Sequence, residues 1–179
     1  MPIFELRLPG LKLIKPTVFR DARGFFMETY QQSAYAKMGI EDLFVQDNHS
    51  YSQKGCIRGM HFQSSPGQAK LVRVALGTIF DVAVDIRPES PTFGQWEGVE
   101  LDGENHFQLY IPVGFAHGFC VLSDVAHVLY KVSSAYHPDY EKGFRWDDPE
   151  VGIAWPVQHP IVSERDRHSP GFNSACPKN

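Results

Sequence analysis

From residue 70 to residue 132 the chain is a succession of short alternating segments, broken at close intervals by turn residues, and this punctuation restricts it to a β fold. Segments 71–76, 79–86, 96–101, 108–111, 115–122 and 126–132 are too short for ordinary helices and are rich in Val, Ile, Phe and Tyr. Between them stand Gly77-Thr78, residues 88–91 with proline at both ends, Asp102-Gly103, Pro112-Val113-Gly114 and Ser123-Asp124, all turn formers. Residues 71–76 and 79–86, two positions apart, read as a hairpin. Many short strands with regular turns predict an antiparallel sandwich or barrel such as a jelly roll. The best helical piece spans about 31–38 and is stopped by Gly39. From Tyr136 onward, Pro, Asp and Trp predict a wrap of loops and short helical turns. The expectation is one all-β domain over 1–179, with a jelly-roll core at roughly 45–135, N- and C-terminal wraps and short peripheral helices.

The charge balance limits the partners. A formal net charge of -4 without any basic run argues against binding a nucleic-acid polymer. No apolar run is long enough to cross a membrane, and no basic start followed by a hydrophobic region suggests a signal peptide. The three cysteines, Cys56, Cys120 and Cys176, have no CxxC spacing and fit a reducing cytoplasm.

Chemistry concentrates in Arg58-Gly59-Met60-His61-Phe62-Gln63 and the nearby Lys70-Leu71-Val72-Arg73-Val74. Cations on a strand among Val, Leu and Phe are costly to bury unless an anion meets them, so these segments suggest an anionic-ligand pocket with His61 beside it for proton transfer. Strict alternation places Arg58 and His61 on opposite faces; a bulge near Gly59 would reunite them. His117, between Phe115 and Phe119 on one face, calls for a polar partner. Tyr130 reads either as a core tyrosine or as a phenol able to give a proton opposite His61. Asp166 reads either as a solvated turn residue or as the acceptor of the His61 Nδ1 proton. Gln46, Asn48 and Ser50 share one strand face, which is either solvated or a recognition surface. No His-x-His occurs anywhere, so a metal centre is not indicated. No glycine-rich phosphate loop occurs either, which leaves any phosphate to arginine.

Several of these segments together resemble the dTDP-4-dehydrorhamnose 3,5-epimerase family. The resemblance rests on Asp21-Ala22-Arg23-Gly24-Phe25-Phe26, Gln46-Asp47-Asn48, Gly55-Cys56-Ile57-Arg58-Gly59-Met60-His61-Phe62-Gln63 and Lys70-Leu71-Val72-Arg73. It continues through Phe80-Asp81-Val82-Ala83-Val84-Asp85-Ile86-Arg87, Pro112-Val113-Gly114-Phe115-Ala116-His117-Gly118-Phe119, Tyr130-Lys131 and Ser163-Glu164-Arg165-Asp166.

The resemblance implies a metal-free, cofactor-free, cupin-type jelly roll working as a cytoplasmic homodimer. It implies an isomerase that epimerises C3 and C5 of dTDP-4-dehydro-6-deoxy-D-glucose through enolates, giving dTDP-4-dehydro-L-rhamnose for dTDP-L-rhamnose biosynthesis. By this resemblance His61 is the base, Asp166 its carboxylate partner, Tyr130 the acid and Lys70 the group beside the enolate. Arg23, Phe26, Glu28, Gln46, Asn48, Arg58, His117, Glu141 and Arg165 fall on ligand-contact positions, and Tyr136 falls where an aromatic ring stacks on thymine. Arg23 and Glu28 are expected to reach the neighbouring subunit's site. Arg165 stands where lysine is common, Met60 where leucine is commoner, and residues 168–179 show no obvious closing helix. The alternatives are a single-centre epimerase of a related dTDP-4-keto sugar, a metal-dependent cupin enzyme and a non-catalytic sugar-binding jelly roll.

Overall fold

A computed structural model describes residues 1–178. In chain order the elements are β1 (Ile3–Glu5), β2 (Lys12–Ile14), β3 (Val18–Asp21), β4 (Gly24–Met27), α1 (Gln32–Ala36), β5 (Gln46–Gln53), β6 (Cys56–Gln63), β7 (Lys70–Leu76), β8 (Thr78–Asp85) and β9 (Trp96–Asp102). They continue with β10 (Gln108–Ile111), β11 (Phe115–Val121), β12 (Val125–Val132), β13 (Glu141–Gly143), β14 (Ile161–Val162), α2 (Glu164–Arg167) and α3 (Phe172–Ala175). A first sheet runs β1-β2-β10-β7-β12-β5, and a second runs β13-β6-β11-β8-β9 with β14 beside β6. The chain is a cupin-like jelly roll, mostly β with short helices.

The two sheets enclose one core. Val72, Val74 and Val128 of the first sheet meet Ile79, Ala83 and Phe119 of the second, all fully or almost fully buried. This follows from alternation, which turns Val72 and Val74 of β7, Ile79 and Ala83 of β8, Phe115 and Phe119 of β11, and Ala126 and Val128 of β12 to the same inner side. Two smaller clusters lie outside the barrel. Tyr35 and Ile40, on and just after α1, cover Leu71 and Tyr110 of the first sheet. Phe172 of α3, with Cys176 and Phe144, covers Met60, Val82 and Val84 of the second.

The hairpin expected from 71–76 and 79–86 does not form. Strand β7 pairs with β10 and β12, whereas β8 pairs with β9 and β11, so the chain changes sheet at Gly77. Alternation is identical in a hairpin and in a crossing between facing sheets, and so could not distinguish them. Gly77 has φ +84°, and a Cβ there would strike the Val125 carbonyl oxygen.

The break in alternation near Gly59 is present. Opposite β11, His61 pairs with His117 and Arg58 with Phe119, so β6 carries one extra residue between these pairs. Arg58 and His61 therefore share the inward face. Gly59 has φ +137°, and a Cβ would lie 2.7 Å from the Gly118 Cα, closer than any side chain tolerates.

Residues 168–179 also depart from expectation, because they include α3. Its N-cap is Gly171, without a side-chain cap, so no local capping signal announces it. Burial of Phe172 holds it in place. No helix among the described residues is long and apolar enough to cross a membrane.

Candidate active site

The inward faces of the two sheets carry a polar group above the apolar core. On the first sheet, register aligns Asn48 with Tyr130 and Gln46 with Val132, while Lys70 sits beside Val132. On the second, it aligns His61 with His117 and Gln63 with Glu141. The His117 and Tyr130 rings stand across from each other with centroids 6.5 Å apart.

His61 and Asp166 meet at 2.6 Å, although 105 positions separate them. The contact uses Nε2, which corrects the expected Nδ1 bond. Asp166 enters on α2 and meets the ring nitrogen farther from the backbone, and no hydrogen bond among the described residues engages Nδ1. Asp166 is buried and also accepts the Gly59 N–H at 3.3 Å. Burial pushes its carboxyl upward, but the His61 hydrogen bond and charge and the Gly59 and Ser163 contacts together hold it below the ordinary aspartate value.

His117 is paired likewise. Its Nε2 lies 3.0 Å from each carboxylate oxygen of Asp81, which is completely buried. Burial lowers the His117 pKa despite the opposing Asp81 charge, with Lys70 and His61 adding to the decrease. His117 is thus a neutral donor to Asp81 near neutral pH. Asp81 was not among the residues singled out from the sequence. The available signal was a carboxylate amid Phe80, Val82, Ala83 and Val84, which must find a partner if buried. Asp85 gives the same signal yet is satisfied by Arg87, Ser90 and Thr92 in its own turn.

Lys70 and Tyr130 have no such partners. No hydrogen bond or ion pair among the described residues engages Lys70 Nζ, although the residue is buried. Burial lowers its pKa to about 8, with Asp81 and Glu141 opposing. The Tyr130 hydroxyl also lacks a hydrogen-bond partner among the described residues. Burial raises its pKa, Arg58 works against the rise and Glu141 adds to it. Arg58 donates from Nε to Ser52 Oγ at 2.9 Å and reaches the Tyr51 carbonyl.

At the rim, Gln46 donates to Asn48 Oδ1 at 2.8 Å and accepts the Tyr136 N–H at 3.0 Å. Gln63 accepts the His137 N–H and donates to Ser134, tying down the segment that carries Tyr136. Arg165 pairs with Glu141 at 2.9 Å. Burial raises the Glu141 carboxyl, and its bonds to Arg165 and Tyr136 bring it below its ordinary value.

Arg23, Phe26 and Glu28 are not brought into this group. They lie on or just after the β3–β4 hairpin, which pairs with neither large sheet. The Arg23 side chain is 90% exposed and, among the described residues, bonds only Asp21, and Phe26 is 70% exposed. A separate hollow of about 330 Å³, lined by Thr29, Asp47, Arg73, Gln108 and Lys131 among others, lies largely on the outer face of the first sheet, behind Tyr130. Among the described residues, no three His, Cys, Asp or Glu side chains are arranged to hold a metal ion.

Comparison with known proteins places this arrangement. The family model described as dTDP-4-dehydrorhamnose 3,5-epimerase matches residues 5–174. The chain is 49% identical to the dTDP-4-dehydrorhamnose 3,5-epimerase of Shigella flexneri over 98% of both chains. It is 52% identical to that of Neisseria gonorrhoeae over 93% of this chain, and spans 51% of that longer relative. Among solved structures, dTDP-6-deoxy-D-glucose-3,5-epimerase of Legionella pneumophila, in complex with dTDP-4-keto-L-rhamnose, superposes with TM-score 0.95 at 47% identity, covering 99% of this chain and 98% of that one. The Bacillus anthracis dTDP-4-dehydrorhamnose 3,5-epimerase, with TDP and PPi bound, gives TM-score 0.93 at 47% identity, covering 96% and 99%. With sequence, fold and full-length similarity in agreement, this chain belongs to the dTDP-4-dehydrorhamnose 3,5-epimerase family, an isomerase-class family of enzymes.

Proposed function

We propose that the chain converts dTDP-4-dehydro-6-deoxy-D-glucose to dTDP-4-dehydro-L-rhamnose, in dTDP-L-rhamnose biosynthesis, with His61 as base and Tyr130 as acid. The observation that carries this reading is their placement: a carboxylate-backed imidazole and an unpaired phenol stand on facing sheets, with an unpaired, buried ammonium in the same interior.

The C–H bonds at C3 and C5 of a 4-keto sugar flank a carbonyl, so removing either proton sends charge to O4. His61 Nδ1 takes the proton, and Asp166 steadies the imidazolium that forms. Lys70 donates to the developing oxyanion, an effect worth about 3–4 kcal/mol for one such donor. Tyr130 delivers its proton to the opposite face of the same carbon, inverting it; before the second carbon reacts, His61 releases the abstracted proton to solvent and Tyr130 regains one from it. The anionic enolate also favours the protonated form of Lys70, which burial alone disfavours.

Arg58 and Arg165 hold the diphosphate, Tyr136 stacks on the base, and Gln46, Asn48, His117 and Glu141 complete the contacts. The working unit is a homodimer. The exposed Phe19, Phe25 and Phe26 of the β3–β4 hairpin support this reading, as do Arg23 and Glu28, which face no site in their own chain. In the dimer the hairpin delivers Arg23, Phe26 and Glu28 to the neighbouring subunit. Three unpaired cysteines fit a cytoplasmic setting.

Proton NMR of the substrate in D2O tests the reaction. Loss of both the C3 and C5 proton signals is expected; loss of one would make this a single-centre epimerase, and retention of both would overturn the reading.

A further inference from the structure

The base pair closes a small ring of backbone. Strand β14 lies parallel to β6, with Ile161 opposite Cys56 and Val162 opposite Ile57, and the Ile161 N–H donates to the Gly55 carbonyl at 2.9 Å. From the Ile57/Val162 bridge one arm runs to His61 and the other to Asp166, each four residues on, and the arms meet again at the 2.6 Å contact. A fixed register at the bridge therefore brings the carboxylate level with the ring.

The Asp166 arm needs a further constraint. Helix α2 has four residues, too few to be stable from its own hydrogen bonds. Its N-cap is Ser163, whose Oγ accepts the Asp166 N–H at 3.1 Å. Ser163-Glu164-Arg165-Asp166 has the spacing of a reciprocal capping box, in which the acid would return to the N-cap N–H. Here the acid turns inward to His61 and the Gly59 N–H instead. The serine half of the box remains, anchoring the backbone of the residue whose side chain orients the base.

We infer that Ser163 is a positioning residue for the reaction, setting the Asp166 carboxylate against His61 through its bond to the Asp166 N–H. This rests on the assignment of His61 and Asp166 as the base pair. Ser163 is exposed and hydrogen-bonds no group assigned to substrate; because α2 also carries Arg165, kcat reports the Asp166 carboxylate and KM reports that arginine.

The test is C3 and C5 exchange in D2O and steady-state turnover for wild type, Ser163→Ala, Ser163→Gly, Ser163→Thr, Asp166→Asn and Ser163→Ala/Asp166→Asn, each checked for folding by circular dichroism. Glycine caps helices nearly as well as serine but has no hydroxyl. The inference expects Ser163→Ala and Ser163→Gly to lower kcat about 10- to 100-fold with KM unchanged, and Ser163→Thr to restore it. It expects the double variant to be no slower than Asp166→Asn, since both changes act through one carboxylate. If Ser163→Gly turns over like wild type, the serine is only a helix cap and the inference is wrong. Multiplying defects in the double variant would also overturn it. Wild-type exchange by Asp166→Asn would instead overturn the base-pair assignment itself.

Discussion

The two walls of the barrel interior are built on opposite principles. On the second sheet both imidazoles already have carboxylates: His61 has Asp166, and His117 has Asp81. On the first, Lys70 Nζ, the Tyr130 hydroxyl and the buried Ser50 hydroxyl have no hydrogen-bond partner among the described residues. One wall has its imidazoles fixed by carboxylates before any ligand arrives; the other keeps an ammonium and a phenol that no protein group engages among the described residues. The difference separates the two tasks. A base needs a fixed tautomer and orientation, which protein groups can supply in advance. An oxyanion donor and an acid need open hydrogen-bonding capacity, so that their strongest interactions form with the reacting molecule.

Four experiments break or sharpen this contrast. The largest effect is expected from His61→Ala, which removes the proposed base together with its carboxylate contact. Exchange at both carbons should fall by about 10⁴-fold with circular dichroism unchanged, and near wild-type exchange would move the base elsewhere. Tyr130→Phe should slow product formation by about 10³-fold. Exchange on the His61 face should persist, because the phenol acts after the enolate forms. Since its hydroxyl has no partner to lose, thermal stability should hardly change; near wild-type inversion would return Tyr130 to the core.

Lys70→Met should lower turnover by about 10²-fold while raising stability by about 2–3 kcal/mol at pH 7. The sign follows from its pKa of about 8 in the fold against 10.5 when free. Below pH 8 both states hold the proton and the fold bears the whole burial cost. Between pH 8 and 10.5 the unfolded chain keeps more of it, so stability rises with pH across that window, and the variant should lose that rise. Urea midpoints at pH 7 and pH 10 measure it. The smallest effect, none at all, is expected from EDTA, since both inward imidazoles are held by carboxylates. Activity lost to the chelator and restored by a divalent ion would contradict the contrast outright.

Strands were legible because alternation and turn chemistry are local; 108–111 coincides with β10 residue for residue. Sheet membership was not, as β7 and β8 show, because alternation does not say which neighbour a strand takes. The break at Gly59 was legible from a conflict, namely two polar groups that strict alternation placed on opposite faces. The meeting of His61 with Asp166 was one of two readings of that carboxylate until family resemblance chose between them, and the ring nitrogen was misassigned, since a contact across 105 positions leaves no local pattern. Asp81 was hidden differently: an apolar run with two acids gives no sign of which one its own turn will satisfy.

Asp166 belongs to the wrap, held to the barrel by a two-residue strand and a four-residue helix, whereas His61 belongs to an eight-residue strand between partners. The proposed catalytic pair therefore joins a slowly opening region to a readily opening one, and its lifetime is that of the weaker. A molecule whose wrap has opened retains both sheets and has lost the orientation of its base. Inactivation and unfolding are then distinct events on the same chain, and gentle heating should silence the enzyme while its sheets still stand.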